Sequence, residues 1–247
     1  MKKLIIVFMF AALWAGAANA AVVSLNFENW GGAPTGASPT AGVVDVSYWN
    51  DTWIDAGKVT PMLDLRDSTG AATTVDVAWA SGGEWGVNLW NDTGADDDGR
   101  LNVSVMKGFI DSNQNQAITQ SSFTVSEIAY DLYDLYVYVM SDTQDRTGTV
   151  TDGTTTYHFL TDPESLHFSG DPLSADYVDF KQITALDAGS AVNGNYAVFS
   201  GLSGATQTIT TDVLEGGGIA AFQIVEVPEP ATLVLLSLGG LLLRRKK

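Results

Sequence analysis

The chain has 247 residues, no cysteine and only two histidines. The first absence excludes disulfides, thiolate catalysis and cysteine-ligated zinc or iron–sulfur sites, so the body must be held by a hydrophobic core. The second leaves His158 and His167 as the whole imidazole supply, nine residues apart and outside the H-x-x-x-H spacing of a helical metal site. In Tyr157-His158-Phe159 the histidine alternates with two aromatic core candidates, the pattern of a strand histidine turned away from the core.

Basic residues are scarce too: 12 Lys and Arg against 29 Asp and Glu, for a formal net charge of −17. Lys2 and Lys3 open the chain and four more close it, so residues 21–227 carry six basic and 28 acidic side chains, a formal charge of −22. Such a surface repels nucleic acid and anionic lipid, attracts cations, and disperses the protein by self-repulsion. Gly-x-Ser-x-Gly, a phosphate-binding glycine loop and a dinucleotide fingerprint are all missing. A carboxylate pair for glycoside hydrolysis is the one catalytic arrangement left open, because sequence fixes no separations among the acids. The expectation is a protein that is not an enzyme.

At the N-terminus a basic pair precedes an apolar stretch from Leu4 to Ala18, and Ala18-Asn19-Ala20 supplies a small-x-small cleavage site. The apolar stretch is short for a bilayer crossing, so residues 1–20 read as a signal peptide, with signal peptidase cutting after Ala20.

Between the ends, short segments rich in β-branched and aromatic residues recur, bounded by Gly, Asp, Asn or Ser. Strands are expected at 22–27, 43–49, 73–80, 101–106, 122–128, 135–140, 154–160, 177–183, 196–200, 207–211 and 219–225, with no amphipathic helix. Alternation puts Val75, Val77 and Trp79 on one buried face. Residues 135–140 are apolar on both faces, Leu135, Val137 and Val139 against Tyr136, Tyr138 and Met140, as a central strand requires. The fold expected for residues 21–226 is all-β, a two-sheet antiparallel β-sandwich of the jelly-roll, galactose-binding-like kind. A solenoid would need a regular repeat, which is absent.

The C-terminus has three parts in a fixed order. Val227-Pro228-Glu229-Pro230 stops any strand or helix leaving the body and favours a helix start after it. Residues 231–243 are apolar apart from Thr232 and Ser237; as a helix they rise only about 20 Å against roughly 30 Å of hydrocarbon. Arg244, Arg245, Lys246 and Lys247 then hold the end on the cytoplasmic side. Residues 227–247 thus resemble the PEP-CTERM sorting domain, whose Pro-Glu-Pro signature, short transmembrane helix and basic cluster are recognised together by the membrane protease-transpeptidase exosortase. The resemblance implies transient anchoring in the inner membrane and processing at Pro228, Glu229 and Pro230. Delivery to the cell surface or an extracellular polysaccharide matrix would follow.

More loosely, 106–111, 133–138, 194–199 and 218–225 resemble strands of β-sandwich domains in PEP-CTERM proteins of environmental bacteria. This speaks for fold and transfers no activity.

Two ligand classes are candidates for the body. Extracellular polysaccharide would need an aromatic platform, and Trp85 and Trp90 lie in a Gly- and Asn-containing stretch suited to loop presentation. The opposing expectation is an acidic structural component of the envelope or matrix with no specific ligand. Calcium is the other candidate: residues 92–99 gather four carboxylates in a turn, with Asp96 and Asp98 the first choices, and Asp111-Ser112-Asn113-Gln114-Asn115 spaces oxygen donors as a calcium loop does. The second segment departs from that loop, with Gln116 at the turn-glycine position and Ser122 at that of the bidentate acid. No other cofactor is expected. Read as solvated turns, these segments predict a thermal midpoint that neither calcium nor a chelator moves; a calcium-dependent rise would make Asp96 and Asp98 the first residues to test as ligands.

Overall fold

A computed structural model describes residues 20–27, 40–52, 60–86, 100–112, 119–163, 166–167 and 177–228. Residues 1–19 of the expected signal peptide, Glu229, Pro230 and the tail from 231 lie outside these residues.

The pattern at 135–140 places the centre of the fold. Strand β7 (Tyr133–Met140) pairs antiparallel with β14 (Gly218–Glu226) on one side and with β12 (Tyr196–Leu202) on the other. Beyond β14 come β1 (Val22–Asn26), antiparallel to it, and β2 (Asn50–Asp51), parallel to β1. At its start β14 also pairs with β5 (Gly108–Asp111), which carries β4 (Gly83–Gly86) outside it. A second sheet holds β3 (Asp76–Ala80), β6 (Ser121–Ser126), β13 (Gln207–Val213), β8 (Thr147–Thr151) and β9 (Thr156–Leu160), in that order and all antiparallel. A separate two-stranded pair joins β10 (Leu166–His167) to β11 (Tyr177–Val178).

The two larger sheets form a β-sandwich. Its core joins Leu135, Val137 and Val139 of β7 and Phe222 and Ile224 of β14 to Val77, Phe123, Val125, Val150 and Ile209 of the other sheet. Phe123 stacks on Phe222 across the middle, with centroids 4.6 Å apart and planes 17° apart. Val75 and Val77 are buried as the alternation requires, and Trp79 is half-buried against Phe27.

The outer face of the first sheet is covered as well. Tyr138, Met140, Ala220 and Ala221 pack beneath Trp49, Phe109, Val105 and Met106 in a second core. A buried polar network fastens this cover. The Tyr138 hydroxyl donates to Gln223 Oε1 and accepts from the Val43 N–H at 2.7 Å, while Gln223 Nε2 donates to the Val44 carbonyl at 2.8 Å. Burial holds the Tyr138 phenol far above its ordinary pKa, so it remains a donor at every physiological pH.

That cover is where the sequence pattern misleads. Residues 43–49 form no strand: Gly42 sits at φ 95°, and the Val43 and Val44 N–H groups bond to side chains of β7 and β14 instead of to a strand neighbour. Residues 101–106 alternate like a strand, yet Asn102–Met106 is a short helix, here α1, with all five residues buried. A segment enclosed on every side satisfies either period, so alternation does not choose between them. Asn102 and Ser104 are satisfied tertiarily, the first accepting from the Gly42 N–H and the second lending its carbonyl to Asn26. The segment 177–183 shortens to β11, whereas β2, β4, β5, β8 and β10 extend the list of strands.

Truncating Phe222 to Ala should cost about 3–5 kcal/mol in denaturant-induced unfolding, since it removes the central stacked ring. Gly218→Ala should cost no less. A methyl there points into the Ile110 carbonyl oxygen, and β14 is paired on both sides at that residue.

Candidate functional site

Among the described residues Trp85 sits on an edge strand, β4, that pairs only with β5, and it is the one exposed aromatic ring, at 56%. The Gly- and Asn-containing stretch, expected as a loop, is thus a strand up to Gly86. The ring does not swing freely, because its Nε1–H donates to Asp142 Oδ2 at 3.2 Å. Asp142 lies in the connection from β7 to β8, so one hydrogen bond ties the edge strand to the far end of the central strand.

Asp142 is itself held from the other side. Arg146 Nη1 donates to Asp142 Oδ1 at 2.7 Å, to Ser141 Oγ at 3.1 Å and to the Gly216 carbonyl at 2.9 Å. Both Asp142 oxygens are therefore engaged, one by an indole and one by a guanidinium. As an exposed ion pair this adds little stability; its effect is to fix the geometry beside the Trp85 ring.

The Gly216 carbonyl belongs to the turn between β13 and β14, where Glu215, Gly216 and Gly217 all have positive φ. At Gly217 a Cβ would lie 2.9 Å from both Ser141 Cβ and Val213 Cγ1, so only glycine fits. Asp111, the last residue of β5, accepts the Gly217 N–H at 2.8 Å, and Ser112 Oγ donates to the Gly217 carbonyl at 2.6 Å. Burial pushes the Asp111 carboxyl above the usual carboxylate range. Asp142 adds to the rise, while the Gly217 N–H and Arg146 oppose it. Asp111 thus serves as a turn clamp at a strand end; Asn113, Gln114 and Asn115, the other donors of the expected calcium loop, lie outside the described residues.

The remaining candidates separate. Trp90, Asp96 and Asp98 lie outside the described residues, as do Trp30 and Trp53; Trp49 is fully buried against Tyr138. His158 is half-buried on β9 of the second sheet, whereas His167 belongs to the small two-stranded pair. Among the described residues no three His, Asp or Glu side chains come together as a metal site.

A second feature was invisible in the sequence. An open groove of about 770 Å³ runs along β12, with Tyr136 and Tyr196 on one side and Tyr157 with the turn between β8 and β9 on the other. Its walls come from both sheets, from Gln182 and from Val43 of the irregular cover. Alternation places Tyr136 correctly on the outer face of β7, but only tertiary packing decides that its ring meets a groove.

Residues 226–247 match a family model described as the PEP-CTERM protein-sorting motif. No curated protein and no solved structure matches the chain. The motif marks an exosortase-targeted, secreted protein that is membrane-anchored and then surface-located, with exosortase as its processing partner. Among the described residues no helix is long and apolar enough to cross a membrane; the expected span at 231–243 lies outside them.

A carboxyl raised on folding is protonated more readily in the native state than in the unfolded chain. Asp111 therefore withdraws stability as pH rises from its ordinary value of 3.8 through its raised native value. Asp111→Asn, which keeps an oxygen for the Gly217 N–H, should gain stability relative to wild type as pH increases from about 4 to about 7. Paired denaturant titrations read this difference, and a difference independent of pH would contradict it.

Proposed function

We propose that this exosortase-targeted protein presents a non-catalytic, glycan-binding β-sandwich at the cell surface or in the extracellular polysaccharide. The reading is carried by Trp85, an exposed ring on a sheet edge, fixed through Asp142 and flanked by Arg146. A flat indole suits the C–H face of a sugar ring, and the neighbouring charged groups can meet its hydroxyls at the rim. Holding the ring in place before binding reduces the ordering cost on association. The acidic body disfavours acidic glycans, so the expected partner is neutral.

The absence of catalysis in this proposal is supported by the engagement of the carboxylates beside Trp85. Asp142 has both oxygens occupied, and Asp111 is buried and bonded to the Gly217 backbone. Neither is offered to a substrate as a general acid or nucleophile would have to be.

Export through signal peptidase belongs to the same proposal, and the start of the domain supports it. The Ala21 nitrogen lies 3.3 Å from Glu226 Oε2, and the Glu226 N–H donates to the Ala21 carbonyl. Cleavage after Ala20 would convert that nitrogen into an ammonium already facing a carboxylate. The mature start and the root of the sorting tail would then be held together.

A purely structural acidic matrix protein is the competing reading, favoured by the charge of residues 21–227. Passing the processed protein over immobilised neutral and acidic polysaccharides separates the two. Glycan binding predicts retention on at least one neutral polymer, reduced about tenfold or more in affinity by Trp85→Ala. Passage of the wild-type protein through every column would favour the matrix reading.

A further inference from the structure

We propose that the groove along β12 is a second glycan site, separate from Trp85, that takes a short segment of a neutral oligosaccharide. It rests on the reading that this domain binds glycans but uses no residue of the Trp85 patch.

The groove has the chemistry such a ligand needs. Tyr136 and Tyr196 are half-buried, and their hydroxyls have no hydrogen-bond partner among the described residues. They stand on the same outer face, because Tyr196 pairs with Tyr138 and Val198 with Tyr136 in the β12–β7 ladder. Tyr157 of β9 reaches the same groove from the inner face, across the β12 edge, its ring 5.3 Å from Phe199 and its hydroxyl donating to the Val198 carbonyl at 3.1 Å. Tyr157 is therefore braced before any ligand arrives, as is Tyr196 by ring contacts with Tyr138 and Phe180, which lowers the ordering cost of binding.

Polar groups ring this aromatic surface. Gln182 is exposed and brings an amide with donors and an acceptor. Asp152 uses Oδ1 to accept the Thr154 and Thr155 N–H groups at 2.9 and 2.6 Å, leaving Oδ2 without a partner among the described residues. Asp152 is the only charged residue in the described lining, and no cation accompanies it. An anionic sugar would meet no countercharge, whereas neutral hydroxyls find acceptors and donors on both sides. The volume of about 770 Å³ falls within the range of small-ligand sites, enough for a few sugar rings.

An extended peptide added to β12 is the other natural occupant of a sheet edge, and the edge is already engaged. The Ile183 N–H donates to the Tyr196 carbonyl at 2.7 Å, and Tyr157 occupies the carbonyl of Val198. The main-chain groups that strand addition requires are taken.

Calorimetric titration of the processed protein tests the site. The probes are hexasaccharides of β-1,4-glucan, β-1,3-glucan, α-1,4-glucan and β-1,4-mannan, with hexagalacturonate as the acidic comparison. At least one neutral hexasaccharide should bind with unchanged affinity to the Trp85→Ala protein, and hexagalacturonate should not bind. Gln182→Ala, at an exposed position, and Tyr136→Phe, which removes only a hydroxyl, should each weaken binding severalfold, and Tyr196→Ala about tenfold or more. Failure of every neutral hexasaccharide to bind the Trp85→Ala protein would overturn the groove. So would an affinity indifferent to Gln182→Ala and Tyr136→Phe. Retention of wild type on a polysaccharide column that depends on Trp85 would, in that event, leave the first site standing alone.

Discussion

The antiparallel pairing of β7 with β14 is the constraint on which the rest of the molecule depends. Both strands are buried on both faces along most of their length, so two separate layers must be supplied to keep water from them. The second sheet supplies one. The other is irregular, assembled from residues 41–52, α1 and the strands at its margin, and fastened by the Tyr138–Gln223 network. Buried polar groups of this kind cost free energy unless every partner is present. The hydroxyl of Tyr138 and the amide of Gln223 therefore tie the cover to one register on the sheet.

The same pair sets the position of the surface features. The turn that delivers the chain into β14 is packed against the connection leaving β7, and there Ser141, Arg146, Asp111 and Ser112 converge on Gly216 and Gly217. Asp142 emerges from this knot and reaches Trp85. On the opposite flank of β7, its pairing with β12 aligns Tyr136 and Tyr196 along the groove. Two aromatic surfaces at different margins of one sheet thus take their rigidity from the same central strands.

The tail connects to this framework at a defined point. β1 and β14 are neighbours, the Val227 N–H donates to the Leu132 carbonyl at 2.9 Å, and Pro228 is exposed immediately afterwards. Ordered pairing thus continues to the residue before the Pro-Glu-Pro signature and stops at an imino acid that has no N–H to donate. An exposed Pro228 directly after the last paired residue is compatible with cleavage beyond it that leaves the sandwich intact.

What the sequence determined was whatever depends on local pattern or composition. The three-part tail, the exclusion of cysteine chemistry, the all-β class and the two-faced strand at 135–140 were all legible, as was the burial of Val75 and Val77. Each is encoded in neighbouring residues through charge, length or a period of two. Tertiary structure alone decided that 102–106 is a helix, that 43–49 is an irregular cover and that Trp85 stands exposed on a strand anchored by Asp142. It also assembled the tyrosine groove from residues up to 159 positions apart, Val43 to Leu202. The reason is physical: alternation reports which face is apolar but not what covers it, and a site built by long-range packing leaves no spacing in the chain from which to read it.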